Sequence, residues 1–414
     1  MFKTMIKVFL YELLNIFKVD ALLSILVSGA VLYFFYYPVP YDNEEVREAP
    51  TVVIDQDNSV MSKALIRQLN ATDSINIVSQ VETMDEAEHL MRNREVYGIF
   101  WIPFDFEQNV LAGRSGALSY YGDASYVIIY SKVTSAVQSV VQTLSQEIGA
   151  ARQIELGVDP AIALGNSAPI TPVIVPLYNP QNGYATYVVP PVYVLIVYQC
   201  LLLAAVISMI LGRRSAFDKS LLTDTRVSPL TVAYCVLIGK WLAYLLVSLT
   251  VFIAYMGLTP IFYQLPFHGS IPNLLFFGVI FLSGTIFLGI FFGHFFRKFD
   301  AVFLIIMPSS MLLFFLSGMS WPKAMIPDAL NFFTYLFPIF PGITSMITLN
   351  QMDGGLVNIR PELIQLIAMM GIYSLLALAT LYRYYRQLQG EVLSSESSTA
   401  IKSKNASVST SSES

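Results

Sequence analysis

The sequence predicts a polytopic α-helical membrane protein: six transmembrane helices, an N-terminal interfacial helix, and an inserted α/β domain after the first crossing. Three observations predict it. Of the 414 residues, 55% are hydrophobic and only 13% charged, where an ordinary soluble domain carries roughly 25% charged residues. Six stretches approach the ~20 largely apolar residues that a crossing needs: residues 19–37, 187–211, 231–258, 273–296, 301–319 and 363–382. Between the first two, residues 38–180 switch to alternating strand-like and helix-like patterns.

Residues 1–18 form a separate element. Phe2, Met5, Ile6, Phe9, Leu10, Leu13, Leu14 and Phe17 fall on one helical face, and Lys3, Lys7, Tyr11, Asn15 and Lys18 on the other. That pattern predicts an amphipathic helix lying in the membrane interface with its lysines toward anionic headgroups. The plainer alternative is an extended start to the first crossing, residues 19–37. With eighteen residues ahead of it and no small-residue cleavage site behind it, this crossing does not read as a cleavable signal peptide.

Lys and Arg near the helix ends set the orientation. Lys3, Lys7 and Lys18 precede the first crossing. Arg213, Arg214, Lys219 and Arg226 follow the second, Arg297 and Lys298 the fourth, and Arg383 and Arg386 the sixth. Of the alternate loops, the one between crossings three and four has no Lys or Arg and the one between five and six has only Lys323 and Arg360. Both termini are therefore expected in the cytoplasm and residues 38–180 outside it.

Within that outer region, strands are expected at 51–55, 75–79, 96–102 and 117–121, with helices at 59–69, 84–94, 105–111 and 126–156. Thr83 and Glu86 stand in capping-box spacing, and the alternation argues for an α/β layer. Residues 160–180 are Pro-rich and expected to be an extended connector. Residues 181–388 carry crossings two to six, and the Ser-rich tail, 389–414, is expected to be disordered.

Catalytic candidates are few. Asp55, Asp57 and Ser59 follow the first strand. A calcium loop starting at Asp55 would want Gly at position six and Glu at twelve; Val60 and Ile66 stand there. The Asp-x-Asp also approaches the nucleophile motif of haloacid-dehalogenase-like phosphatases, without that family's later acidic pair. The structural alternative is a tight turn in which Asp57, Asn58 or Ser59 caps the next helix. No GxxxxGK[ST] loop, GxSxG elbow or HExxH is present. The two cysteines, Cys200 and Cys235, and the three scattered histidines show no metal-ligand spacing. A net charge of −5 points to no nucleic-acid partner.

Polar groups inside apolar runs are candidates by default. Lys240 near the start of the third crossing is expected to snorkel to cytoplasmic headgroups and anchor that interface. Gln199 is placed either on a substrate path or in a bond to a neighbouring helix, and Pro308 as a kink on the same path. Residues 320–345, with Trp321, Pro322, Pro327, Pro338 and Pro341, are too apolar for a solvated loop and too rich in proline for a crossing. They read as a re-entrant segment.

In order and spacing, the chain resembles a permease of the ABC transporter type-2 family, in the subgroup with a large extracytoplasmic domain between membrane helices 1 and 2. Val52-Val-Ile-Asp-Gln-Asp-Asn-Ser, Asp85-Glu-Ala, Gly98-Ile-Phe-Trp-Ile-Pro and Asn109-Val-Leu-Ala-Gly are similar to its outer domain. Tyr178-Asn-Pro and Val189-Pro are similar to its entry into helix 2, and Ser228-Pro-Leu with Gly239-Lys240 to its helix 2–3 loop. Ser317-Gly, Trp321-Pro and Ile326-Pro are similar to its re-entrant segment. Two places depart from the family's usual pattern. The helix 2–3 loop reads Arg213-Arg-Ser-Ala-Phe-Asp-Lys-Ser instead of carrying a Glu and a Gly-Thr pair, and Pro190-Pro191 replaces Pro-Gly.

The resemblance implies an exporter subunit for amphipathic small molecules in a bacterial plasma membrane, with no cofactor of its own. ATP and Mg would sit on a separate cytoplasmic ATPase, a second permease copy or paralogue would complete the dimer, and a periplasmic adaptor would serve a two-membrane envelope. Residues 213–230 would be the coupling loop, with Phe217, Leu221 and Leu222 as apolar knobs in an ATPase groove and Ser228 and Pro229 at its exit. Asp55 and Asp57 would be scaffold in a non-catalytic outer domain. The competing class is a membrane-anchored receptor or scaffold that binds an outside partner without transport. A hydrolase has only the Asp55–Asp57 pair behind it.

Overall fold

A computed structural model describes residues 1–41, 45–168, 176–179, 182–225 and 228–410, with side chains described to 222 in the loop that ends at 225 and to 392 at the C-terminal end. The chain divides into two compact units: Met1–Asp42 with Pro176–Ser414, and Asn43–Val175.

The first unit opens with α1 (Phe2–Lys18). The first apolar run follows as α2 (Asp20–Leu23), a π-helical segment Ser24–Ser28 and α3 (Gly29–Tyr36), which with the turn after it make one span, Asp20–Tyr41.

In the second unit the order is β1 (Ala49–Asp55), α4 (Val60–Asn70), β2 (Ile75–Gln80), α5 (Met84–Arg92), β3 (Gly98–Ile102), α6 (Phe106–Leu111), β4 (Ser119–Gly122), α7 (Val127–Glu155) and α8 (Pro160–Ser167). The sheet runs β2-β1-β3-β4. β1 pairs in parallel with β2 and β3, and β3 antiparallel with β4. Both faces of β1 are covered, as parallel strands require: Val53 joins Leu65, Leu69, Phe100 and Val133 on one side, while Val52 and Ile54 join Ala87 and Ile99 on the other.

One expectation fails here. The start of the Pro-rich connector is helical, because Asp159 caps α8 by accepting from Ala161 N and Pro160 sits at the first helical turn, where no amide is needed. Residues 169–175 and 180–181 of that connector lie outside the described residues.

The first unit resumes with α9 (Tyr184–Arg214), α10 (Ala216–Thr225) and α11 (Pro229–Ile253). A π-helical segment Ala254–Leu258, α12 (Thr259–Tyr263), α13 (Ile271–Gly293) and α14 (Phe299–Phe315) follow. Then come α15 (Asp328–Thr334), α16 (Ile339–Met346), a π-helical segment Ile347–Gln351 and α17 (Arg360–Thr410).

Among the described residues five helices are long and apolar enough to cross a membrane: Asp20–Tyr41, Tyr184–Arg214, Pro229–Tyr263, Ile271–Gly293 and Arg360–Val392. The expected crossing at 301–319 is the shorter α14, 17 residues long, about 25 Å of helix. A turn with Gly318 at φ +94 ends that run early. α15 and the helix Ile339–Gln351 are bent by 85° at the break between them. Pro338 and Pro341 are buried, whereas Trp321, Pro322 and Pro327 are exposed. Residues 411–414 of the Ser-rich tail lie outside the described residues. The backbone of α17 stays helical to Thr410, and after Gly390 no glycine or proline interrupts it.

Candidate functional site

A cluster of charged and hydroxyl groups gathers α1, α9, α10, α11 and α17. It begins where α1 lies along α11. The covered stripe of α1 is Thr4, Val8, Glu12 and Ile16, while Phe2, Ile6, Leu10, Leu14 and Phe17 remain exposed. Close approach depends on Gly239: a Cβ there would lie 2.7 Å from Val8 Cγ1 and 3.1 Å from the Met5 carbonyl.

One residue further on, Lys240 turns inward. Its Nζ donates to Glu12 Oε1 at 2.6 Å and stands 3.3 Å from both the carbonyl and the hydroxyl of Ser208 on α9. The side chains are 4% and 6% exposed. The snorkelling anchor is thus overturned: with a carboxylate and a carbonyl to receive it, the ammonium is satisfied inside the protein. A buried pair of this kind gives little net stability over an apolar pair, but removing one partner alone is costly.

Asp218 of α10 completes the cluster. Its carboxylate is buried, faces Lys240 and Glu12, and meets the hydroxyls of Tyr385 and Tyr384 on α17. Burial is the largest influence and pushes its pKa up to about 6; Lys240 and the tyrosine hydroxyls pull the other way and Glu12 adds to the rise.

The flanks of α10 are also tied down. Tyr11 stacks on Phe217 with ring centres 3.8 Å apart, and its hydroxyl is 2.8 Å from Ser215 Oγ. Arg213 donates to the carbonyls of His294 (3.0 Å), Gly293 (2.6 Å) and Phe296, capping the C-terminal end of α13 with a cation as the helix dipole favours. Arg214 donates to the Arg297 carbonyl at 3.2 Å and lies over the Phe299 ring.

These contacts correct the expected knobs. Leu221 and Leu222 are 1% and 9% exposed and belong to the main apolar core; the apolar side of α10 packs on α9, α11 and α17. Phe217 is half-buried under Tyr11, while Ala216, Lys219 and Ser228 are exposed. Ser228 caps α11 by accepting from Thr231 N, with Pro229 first in the helix. Residues 226–227 of the loop, including Arg226, lie outside the described residues.

The other candidates lie elsewhere. Gln199 on α9 is half-buried, and Pro308 is exposed on α14, whose helix runs on through it. In the second unit, Asp55 Oδ1 accepts from the amides of Asp57 (3.1 Å) and Asn58 (3.0 Å), and Oδ2 from Ser62 Oγ at 2.8 Å. Ser59 caps α4, and Asp57 Oδ2 accepts from Glu107 N. Both carboxylates are engaged in a turn. Among the described residues no group of three His, Cys, Asp or Glu side chains could hold a metal.

The arrangement of the first unit is that of a helical bundle with one short helix bolted between two spans, and the comparison with protein families agrees. The family described as "ABC-2 family transporter protein" matches residues 21–379. The chain belongs to the ABC-2 transporter family. No curated protein matches it. ABC-2 chains are membrane subunits of transporters and normally work with an ATPase subunit. In this ABC-2 permease the residues that sequence reasoning missed are Glu12, Asp218, Tyr384, Tyr385, Arg213 and Tyr11. Glu12 had one signal, a lone carboxylate in a helix whose other charges are lysines.

Proposed function

We propose that this ABC-2 subunit is the permease of an exporter that moves amphipathic or hydrophobic small molecules outward, powered by a separate cytoplasmic ATPase. The observation that carries the reading is the anchoring of α10. This short helix between two spans is joined by side chains to α1 (Tyr11 on Phe217 and Ser215) and to α11 and α17 (Asp218 facing Lys240, Tyr384 and Tyr385), while Arg213, just ahead of it, holds the end of α13. A push on the exposed side of α10, at Ala216 and Lys219, would move four helices as one body, which is what a coupling element must do.

The ATPase is assigned to that side, the second permease copy or paralogue to the bundle, and lipid headgroups to the lysines of α1. Both termini face the cytoplasm of a bacterial cell by the Lys and Arg distribution, which puts the Asn43–Val175 unit outside, where a periplasmic adaptor would meet it. Leu221 and Leu222 hold α10 to its own bundle, so the surface offered to the ATPase is Ala216, Lys219 and Ser228 with the edge of Phe217.

The test is co-expression with a candidate partner ATPase of the ATP-binding-cassette type. Ala216→Trp with Lys219→Glu should abolish ATPase co-purification and ATP-driven export from vesicles while leaving thermal unfolding of the permease unchanged. ATP turnover by the permease purified alone, or export indifferent to both substitutions, would refute it.

A further inference from the structure

Three helical irregularities meet at a small cavity about 22 Å along α11 from Lys240. The π-helical segments 254–258 and 347–351 and Pro190 inside α9 all contribute to its walls; such breaks in regular helix recur at functional sites. The cavity measures about 10 Å³, room for one water-sized group. Asn350, 3% exposed, lines it, and its Oδ1 has no hydrogen-bond partner among the described residues. Thr259, 1% exposed, lines it too. Among the described residues its hydroxyl has no hydrogen-bond partner by geometry, and the neighbouring Tyr193 phenol donates to the Phe34 carbonyl at 3.3 Å. A buried amide oxygen without a donor is costly and calls for a ligand atom.

Tyr255 lines the cavity as well. The same side chain lines an open apolar groove of about 220 Å³ between α3 and the end of α11, whose rim includes the exposed Val31, Phe35 and Leu258. Its ring stacks on Tyr193 at 4.2 Å and its hydroxyl donates to the Ala30 carbonyl at 2.7 Å. Tyr255 is therefore common to the walls of the cavity that holds Asn350 Oδ1 and of the apolar groove.

We propose that cavity and groove together form a binding site for an amphipathic molecule, its hydrogen-bond-donating head (a hydroxyl or an amide) received by Asn350 Oδ1 and Thr259 and its hydrocarbon body held in the groove, with Tyr255 as the gate between them. The site supplies a substrate class and a sideways entrance for the export reading, and rests on that reading only for what happens after binding. An exported amphiphile and a resident lipid share this chemistry.

The test uses the full chain in phosphatidylcholine nanodiscs and a long-chain monoacylglycerol bearing a diazirine on its tail. Photolabelling should fall on the peptides that carry Ala30 to Phe35 and Val251 to Leu258. Asn350→Leu and Thr259→Val should each lower it at least fivefold, and Tyr255→Phe, which frees the gate from Ala30, should raise it. A diazirine alkane of equal length without a head should label wild type and variants alike. Labelling unchanged in either Asn350→Leu or Thr259→Val with native unfolding profiles, or a headless probe equally dependent on Asn350, overturns the site. Adding the ATPase and ATP tells the sources apart: labelling falls for an exported molecule and persists for a resident lipid, and both results keep the site. Failure of the ATPase to bind would count against the export reading and leave the labelling result standing.

Discussion

Replacing Lys240 by Met removes one charge from a pair whose side chains are 4% and 6% exposed and whose atoms stand 2.6 Å apart. At an effective dielectric constant near 20, two unit charges at that separation attract by about 6 kcal/mol. Desolvation offsets much of this in the intact pair, but in Lys240→Met the Glu12 carboxylate keeps its burial and loses its partner, which costs about 3–5 kcal/mol. Glu12→Leu alone strands the ammonium against the Ser208 carbonyl and should cost nearly as much. The double variant removes both charges and should return to within about 1 kcal/mol of wild type, since apolar replacements of such pairs are close to neutral. Equilibrium unfolding in mixed micelles, titrated with a denaturing detergent, gives the four free energies of the cycle. Trypsin cleavage after Lys18 reports in parallel whether α1 has come away. A coupling energy below about 0.5 kcal/mol, the range of solvent-exposed pairs, would show that water reaches Lys240 and that α1 is not held through it.

Two further outcomes follow from the same cluster. Asp218 has its pKa raised from 3.8 to about 6 in the folded chain, so between those values the folded chain keeps a proton that the unfolded chain has lost. Stability should therefore fall as pH rises from about 4 to 6 and stay level above, by roughly 3 kcal/mol in all; Asp218→Asn should flatten that fall in unfolding measured from pH 4 to 8. Gly239→Ala puts a methyl within 2.8 Å of two Val8 side-chain atoms and should destabilise by about 1–3 kcal/mol in the same titration; because one of those atoms is Cβ, Val8→Ala in the same chain should recover only part of the loss.

The spans were legible because long apolar runs have few other uses, and the strands of the inserted unit because β-branched runs alternate with capped helices. The Asp55 turn was open to a structural reading for the same reason: Asp57, Asn58 and Ser59 are ordinary turn and cap residues. The cluster was not legible. The buried stripe of α1, Thr4-Val8-Glu12-Ile16, mixes polar and apolar side chains at every fourth position, so hydropathy periodicity passes over it and points instead at the face that stays exposed. Lys240 looked like a snorkelling residue because position along the helix says nothing about a carboxylate 228 residues away in sequence. Leu221 and Leu222 looked like knobs because an apolar pair in a polar loop has two surfaces it can cover, and only the packing of α10 on α9, α11 and α17 decides between them.

The long sequence separation of the Glu12–Lys240 bond has a consequence for how the polypeptide is made. α1 leaves the ribosome well before the helix that receives it, which is synthesised more than two hundred residues later. Until then α1 has only its greasy side, Phe2, Ile6, Leu10, Leu14 and Phe17, to hold it against the bilayer, with its acid facing water. Docking of α1 is thus a late step of biogenesis, and a nascent chain stopped short of α11 should keep residues 1–18 open to protease long after the span Asp20–Tyr41 is in place.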